Sequence, residues 1–226
     1  MFSSISYHND LAFIHQLLFG TSIRNSDITD LENTSGIHIQ EAARLLSEIR
    51  DYHIGVYRHS INVGYLTAQL AFRMGLSKMD IYTITIGALF HDIGKTMIPH
   101  SVLDKPSKLS KEEWELIKEH PKVGVSLISK YHWGQQLEPM ILLHHERLDG
   151  NGYYSVASEE IPLSARMVSI ADAFDAMKST RPYQRPRSTR ECWAEIKRCC
   201  GTQFAPELLP SFRTILNKNN VIPGQP

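Results

Sequence analysis

Apolar residues in this chain recur at three- and four-residue intervals. Leu163, Met167, Ile170, Phe174 and Met177 make one stripe of a helix, and Val56, Val63, Leu66 and Leu70 make another, in a segment that also carries His59. Residues 84–90 are apolar on every side and predict a buried helix. No comparable strand alternation is found. Ser110-Lys111-Glu112-Glu113 and Ser188-Thr189-Arg190-Glu191 are capping boxes, in which Ser and Glu satisfy backbone groups reciprocally, so helices are expected to begin near Lys111 and Thr189. Gly75 and Gly201 follow periodic stretches, as left-handed helix ends do, and Pro162 and Pro206 suit first turns. The pattern predicts an all-α fold of roughly seven to nine helices. Irregular links are expected at 100–109, 149–161 and 180–187.

Residues 1–36 read as a short arm: an amphipathic helix over 11–19, then a polar linker through Asn25, Ser26, Asn33, Thr34, Ser35 and Gly36. The arm suits docking to a signalling protein or homodimer formation. Residues 37–216 form the expected main domain, and 217–226 a flexible tail.

With 226 residues, 42% of them hydrophobic, the chain can bury a real core. Lys plus Arg equals Asp plus Glu at 24 each, so no global basic field recruits a nucleic acid polymer or an anionic membrane. No apolar run approaches the roughly 20 residues of a membrane span. The first ten residues lack the order of a secretory signal, which makes the cytoplasm the expected location. Cys192, Cys199 and Cys200 cluster without CxxC spacing and read as reduced thiols.

The compositional outlier is histidine, present 11 times. His91-Asp92-Ile93-Gly94-Lys95 ends the apolar run 84–90, and His144-His145-Glu146 ends the stretch 140–143. Buried imidazoles are costly unless ligated or hydrogen-bonded. In order, His59, His91-Asp92, His120, His144-His145 and Asp172 place seven ligand-type residues on five helices. Imidazole and carboxylate together suit iron, manganese or zinc better than calcium or magnesium. A carboxylate such as Asp92 can bridge two ions, and two ions can generate hydroxide and clamp a phosphate. His8, His15, His38, His53, His100 and His132 take surface or helix-cap roles in this reading.

His91-Asp92-Ile93-Gly94-Lys95, Ile98-Pro99, Lys105-Pro106, His120-Pro121, His144-His145-Glu146-Arg147, Asp149-Gly150-Asn151-Gly152-Tyr153, Ile170-Ala171-Asp172 and Phe174-Asp175-Ala176 together closely resemble the HD-GYP branch of the HD phosphohydrolases, over about residues 50–210. The resemblance implies an HD-domain helical bundle around a binuclear centre. It also implies hydrolysis of cyclic di-GMP to the linear dinucleotide, GMP or both, through a metal-bridging hydroxide. By position, His59, His91, Asp92 and Asp172 would take one metal, iron or manganese, and Asp92, His120, His144 and His145 the other. Lys95 is the expected cation at the reacting phosphate. Arg166, Lys178, Arg181 and Tyr153 are the expected substrate contacts, and Glu146 and Asp149 are expected to orient ligands.

Two departures matter. The Glu that members with three metals carry one turn before the first His is Gly55 here, which implies two metals. The name-giving Gly-Tyr-Pro is Gly152-Tyr153-Tyr154. Rival readings are an HD phosphohydrolase for another nucleotide or cyclic dinucleotide, and a degenerate module that binds such a ligand or a protein without cleaving it.

Overall fold

The computed structural model describes residues 24–179 and 186–218. Among them are eleven α-helices, more than the seven to nine expected, because two links contain short helices of their own. These are α1 (Asn25–Ser35), α2 (Ile39–Tyr52), α3 (Ile54–Arg73), α4 (Lys78–Phe90), α5 (His100–Leu103), α6 (Lys111–Lys118), α7 (His120–Ile128), α8 (Gly134–Leu143), α9 (Leu163–Lys178), α10 (Thr189–Arg198) and α11 (Leu209–Lys218). Single 3-10 turns occupy Ile93–Met97, Ser158–Glu160 and Pro206–Leu208. The described residues contain no strand beyond one isolated bridge, Cys200 to Phe204. The all-α expectation holds.

The boundary signals fall where the side chains dictate. Ser110 and Ser188 both close capping boxes, so α6 starts at Lys111 and α10 at Thr189. Gly75 and Gly201 adopt φ of +73° and +79°, the left-handed region in which a Cβ is unfavourable.

The core is built on α4, whose residues from Ile84 to Phe90 are all buried. A helix that is apolar on all sides must be enclosed, and α3, α8, α2 and α1 pack around it. Helix α9 lies on α3, and α7 packs against both α8 and the 3-10 turn that follows α4. The ends of α4, α6 and α8 are thereby brought to one side of the bundle.

The polar linker expected at 25–36 is instead the helix α1. Ile28 and Leu31, three apart, are 4% and 7% exposed in the common core, and Asp27 receives the Lys78 ammonium at 2.6 Å from the start of α4. Two apolar anchors against a neighbouring helix outweigh the weak helix propensity of Asn, Ser and Thr. Helix α11 runs to Lys218, past the expected start of the tail. The arm helix at 11–19, Arg181 and the remaining tail lie outside the described residues. No helix among the described residues is long and apolar enough to cross a membrane.

Candidate metal centre

Three histidines of the motif set sit at helix ends, and each caps one. His91 follows α4 and its Nδ1 bonds to the Ala88 carbonyl at 2.7 Å. His144 follows α8 and bonds to the Ile141 carbonyl at 2.9 Å. His120 opens α7, while its Nδ1 bonds back to the Ile117 carbonyl of α6 at 2.7 Å. The last carbonyls of a helix have no partner within the helix. An Nδ1–H that donates to one of them fixes the tautomer and leaves Nε2 as a lone pair directed away from the helix. The negative ends of α4, α6 and α8 also face the space these nitrogens share, which favours a cation there.

His59 is oriented differently. Its Nδ1 lies 2.7 Å from Asp175 Oδ2, and Asp175 is itself held by Asn62 Nδ2 at 2.8 Å and Ser179 Oγ at 3.2 Å. Asp175 sits one turn after Asp172 on α9 and is buried. Sequence reasoning gave it no role. The available signal was its spacing of three from Asp172, which places both carboxylates on one helix face.

All seven expected ligands come together. Donor atoms of His59, His91 and Asp172 lie within 4.8 Å of one another, as do those of Asp92, His120, His144 and His145. Asp92 is almost fully buried and stands between the groups. Its Oδ2 is 3.5 Å from His59 Nε2 and 3.3 Å from His91 Nε2, while its Oδ1 is 3.1 Å from His120 Nε2 and 3.8 Å from His144 Nε2. Asp172 Oδ1 lies 2.9 Å from His59 Nε2, and Asp172 Oδ2 is 3.7 Å from His145 Nδ1. His59 Nε2, His91 Nε2 and Asp92 Oδ1 are buried without a hydrogen bond. Buried polar atoms without partners are rare, and imidazole nitrogens on one side of Asp92 with a carboxylate oxygen turned to the other are donors of the kind that divalent metal ions take.

The electrostatics match that reading. Burial works against the charged forms of Asp92 and Asp172, yet neighbouring cations and imidazoles hold both well below the ordinary carboxylate range. Burial likewise opposes charge on His59, but the carboxylates of Asp172 and Asp175 outweigh it and raise its pKa to about 9. Burial pushes His144 well down and His145 down to about 3; neighbouring imidazoles add to it, and the carboxylates of Asp92 and Asp172 offset only part. Lys95 Nζ lies 2.6 Å from Asp92 Oδ2, so the expected cation is at the centre.

The other expected contacts divide. Tyr153 lies over His145, with ring centroids 4.4 Å apart. Arg166 spends its guanidinium on the carbonyls of Ile161 at 2.8 Å and Ser158 at 2.7 Å and on Glu207 at 3.2 Å, fastening the loop that precedes α9. Lys178 lies on the outer end of α9, 3.3 Å from Thr189 Oγ1. Glu146 and Asp149 do not orient ligands. Asp149 pairs with Arg147 and accepts from Asn151 N. Glu146 is buried and accepts from the backbone N–H of Tyr154 at 2.7 Å and Val156 at 2.9 Å. It therefore holds the Gly152-Tyr153-Tyr154 loop. A Cβ at Gly152 would strike that carboxylate, which explains the glycine. Tyr154 O–H donates to the Lys118 carbonyl at 3.1 Å, and its ring lies 4.6 Å from Lys122 Nζ. The tyrosine in the proline position thus ties the loop to the end of α6.

Residues 32–208 match the family model described as the HD domain. A cyclic di-GMP phosphodiesterase of Thermotoga maritima is 38% identical over 177 residues, covering 77% of this chain and 48% of the relative. A 3'3'-cGAMP-specific phosphodiesterase of Vibrio cholerae is 32% identical, covering 87% of this chain and 38% of the relative. The chain thus spans less than half the length of these curated relatives. Among solved structures, the HDG"Y"P protein Bd1817 of Bdellovibrio bacteriovorus superposes with a TM-score of 0.64 at 19% identity, over 94% of this chain and 71% of that one, and shares the fold. The chain belongs to the HD-domain family, in its HD-GYP branch, with Gly-Tyr-Tyr in place of the name-giving motif.

Proposed function

We propose that this chain is a phosphodiesterase that hydrolyses cyclic di-GMP to the linear dinucleotide, GMP or both. In this reading His59, His91, Asp92 and Asp172 hold one metal ion, and Asp92, His120, His144 and His145 hold a second. The observation that carries it is the division of Asp92, one oxygen toward each group of imidazoles. The relatives named as phosphodiesterases of cyclic di-GMP and 3'3'-cGAMP support the substrate class.

When bound, such a pair of metals supplies hydroxide near neutral pH and withdraws charge from a phosphate. The chain's own residues do the rest. The helix-end carbonyls and Asp175 hold the imidazole rings in place before substrate arrives, so no reorganisation is needed as charge builds. Lys95, beside Asp92, stabilises the developing charge on the nonbridging phosphate oxygens. Iron or manganese suits donors without thiolate, and Gly55 leaves no carboxylate for a third ion. The proposed site of action is the cytoplasm, in nucleotide signalling.

The test is turnover of cyclic di-GMP and 3'3'-cGAMP by protein purified anaerobically and loaded with iron or manganese, with metal counted on the same sample. Cleavage with two metals per chain is expected. Metal uptake without cleavage of either dinucleotide would replace the enzyme with a binding module.

Two outcomes follow from the site's electrostatics. His59 carries a proton up to about pH 9, and a metal at its Nε2 must displace that proton. Binding at the His59 group is therefore expected to release about one proton, and its affinity to fall about tenfold per pH unit below 9. His144 and His145, already neutral, contribute no such proton to the other group. Calorimetric titrations with manganese in buffers of different ionisation enthalpy count the protons, and pH-independent binding at both groups would contradict the assignment.

The second concerns Asp175. Asp175→Asn keeps the shape but weakens the hold on His59 Nδ1, and metal affinity is expected to drop about 10- to 100-fold, the usual effect of losing such a carboxylate partner. Equilibrium dialysis measures it, and an unchanged affinity would leave Asp175 as a packing residue.

A further inference from the structure

We propose that Trp114 is the platform on which one purine base of the cyclic dinucleotide stacks, with Lys118 as the cation beside it. The inference rests on the phosphodiesterase reading and adds a recognition surface outside the metal centre.

The chain has three tryptophans, and two are spent on the fold. Trp133 is fully buried and donates to Glu41 at 2.8 Å. Trp193 packs against the core cluster. Trp114 is 45% exposed, on a helix that buries none of its residues. A single exposed indole is ordinary on a protein surface, so its position decides the matter. Its ring meets Tyr153 edge-on, with centroids 6.2 Å apart, and Tyr153 in turn lies 4.4 Å from His145. Two ring contacts thus separate Trp114 from the ligand set, a reach comparable to that from a nucleotide's phosphate to its own base.

The same helix face carries a cation. Trp114 and Lys118 are four residues apart and lie one above the other on α6, and Lys118 Nζ stands 5.6 Å from the Tyr153 centroid. An exposed indole with an ammonium one turn away suits a flat aromatic group attached to a phosphate. Tyr153 itself packs too closely on His145 to open both faces, so the free aromatic surface belongs to Trp114. Tyr154 bonds the Lys118 carbonyl and so fixes the end of α6 relative to the loop, which sets the height of the indole above the centre.

Base stacking on an aromatic side chain strengthens binding about 5- to 150-fold per base, as judged by alanine substitution, so Trp114→Ala is expected to raise KM for cyclic di-GMP within that range. The change in kcat should be smaller, the metal content should equal that of wild type, and Trp114→Phe should keep most of the affinity. Binding is read separately from turnover by titrating cyclic di-GMP into manganese-loaded protein and following tryptophan fluorescence. Wild type should be quenched and Trp114→Phe should not, since Trp133 is fully buried and Trp193 is packed against the core. Unchanged KM in Trp114→Ala, or quenching that persists in Trp114→Phe, overturns the platform while leaving the phosphodiesterase intact. Trp114-dependent quenching without turnover would sustain the platform and sink the enzyme, and neither quenching nor turnover would sink both.

Discussion

Asp92→Ala is expected to strip the protein of bound metal and to lower turnover of cyclic di-GMP by at least about a thousandfold. Asp92 stands deepest between the two groups and presents one oxygen to each, whereas Asp172 lies against His59 and reaches the other group only at 3.7 Å from His145. Metal ions contribute several kcal/mol of transition-state stabilisation, and each 1.36 kcal/mol is a factor of ten in rate. The substitution also frees the Lys95 ammonium, which now lies 2.6 Å from Asp92 Oδ2, to point among imidazoles whose charges it would oppose. Asp92→Asn separates the two halves of the argument. An amide keeps one oxygen and replaces the other with a donor, so one metal per chain should survive and turnover should still be lost. Metal counting and turnover on the same samples decide the matter. Two metals retained in Asp92→Ala, with a rate within tenfold of wild type, would remove Asp92 from the centre.

Asp92 also illustrates what a sequence makes legible. Residue type and spacing named seven candidate ligands, which the fold brings together, because such a set announces itself by chemistry that a core does not need: imidazoles and carboxylates at the ends of apolar runs. The capping boxes at Ser110 and Ser188 were equally readable, since both partners of each lie within four residues. What escaped depended on contacts between distant segments. Asp175 is next to its role only once α9 is laid on α3, which brings it to His59 from 116 positions away. Arg166 had the right charge and position for a phosphate, but its fork is taken up by carbonyls of the loop before its own helix. Helix α1 looked like a polar linker because its two apolar anchors, Ile28 and Leu31, matter only against α4. Tyr154, which looked like decay of a motif, proves to be hydrogen-bonded at both its backbone and its hydroxyl. The altered loop is therefore fastened, which weakens the case for a degenerate module.

Gly94→Ala is expected to be the most damaging single-methyl change near the site. A Cβ at Gly94 would overlap the His120 carbonyl oxygen and come within 2.7 Å of Gly124 N. Both are backbone atoms in the first turns of α7, so no side chain can swing aside. The turn Ile93–Met97 and α7 must move apart, and with them two of the proposed ligands, Asp92, which precedes the turn, and His120, which opens α7. Forcing a methyl into a packed interior costs about 1–3 kcal/mol, and backbone on the receiving side places this case at about 3 kcal/mol. For a chain of this size that is a fall in Tm on the order of 6–12 °C. Gly150→Ala provides the contrast. Gly150 has φ of +72° with nothing within 4 Å of a built Cβ, so strain alone of about 1 kcal/mol is expected, with metal affinity unmoved. Thermal unfolding of the metal-free proteins and manganese affinity measured together separate the two. A Gly94→Ala protein that melts with wild type and binds both metals normally would mean that α7 is not seated on the turn after α4, and that His120 reaches the centre by another route.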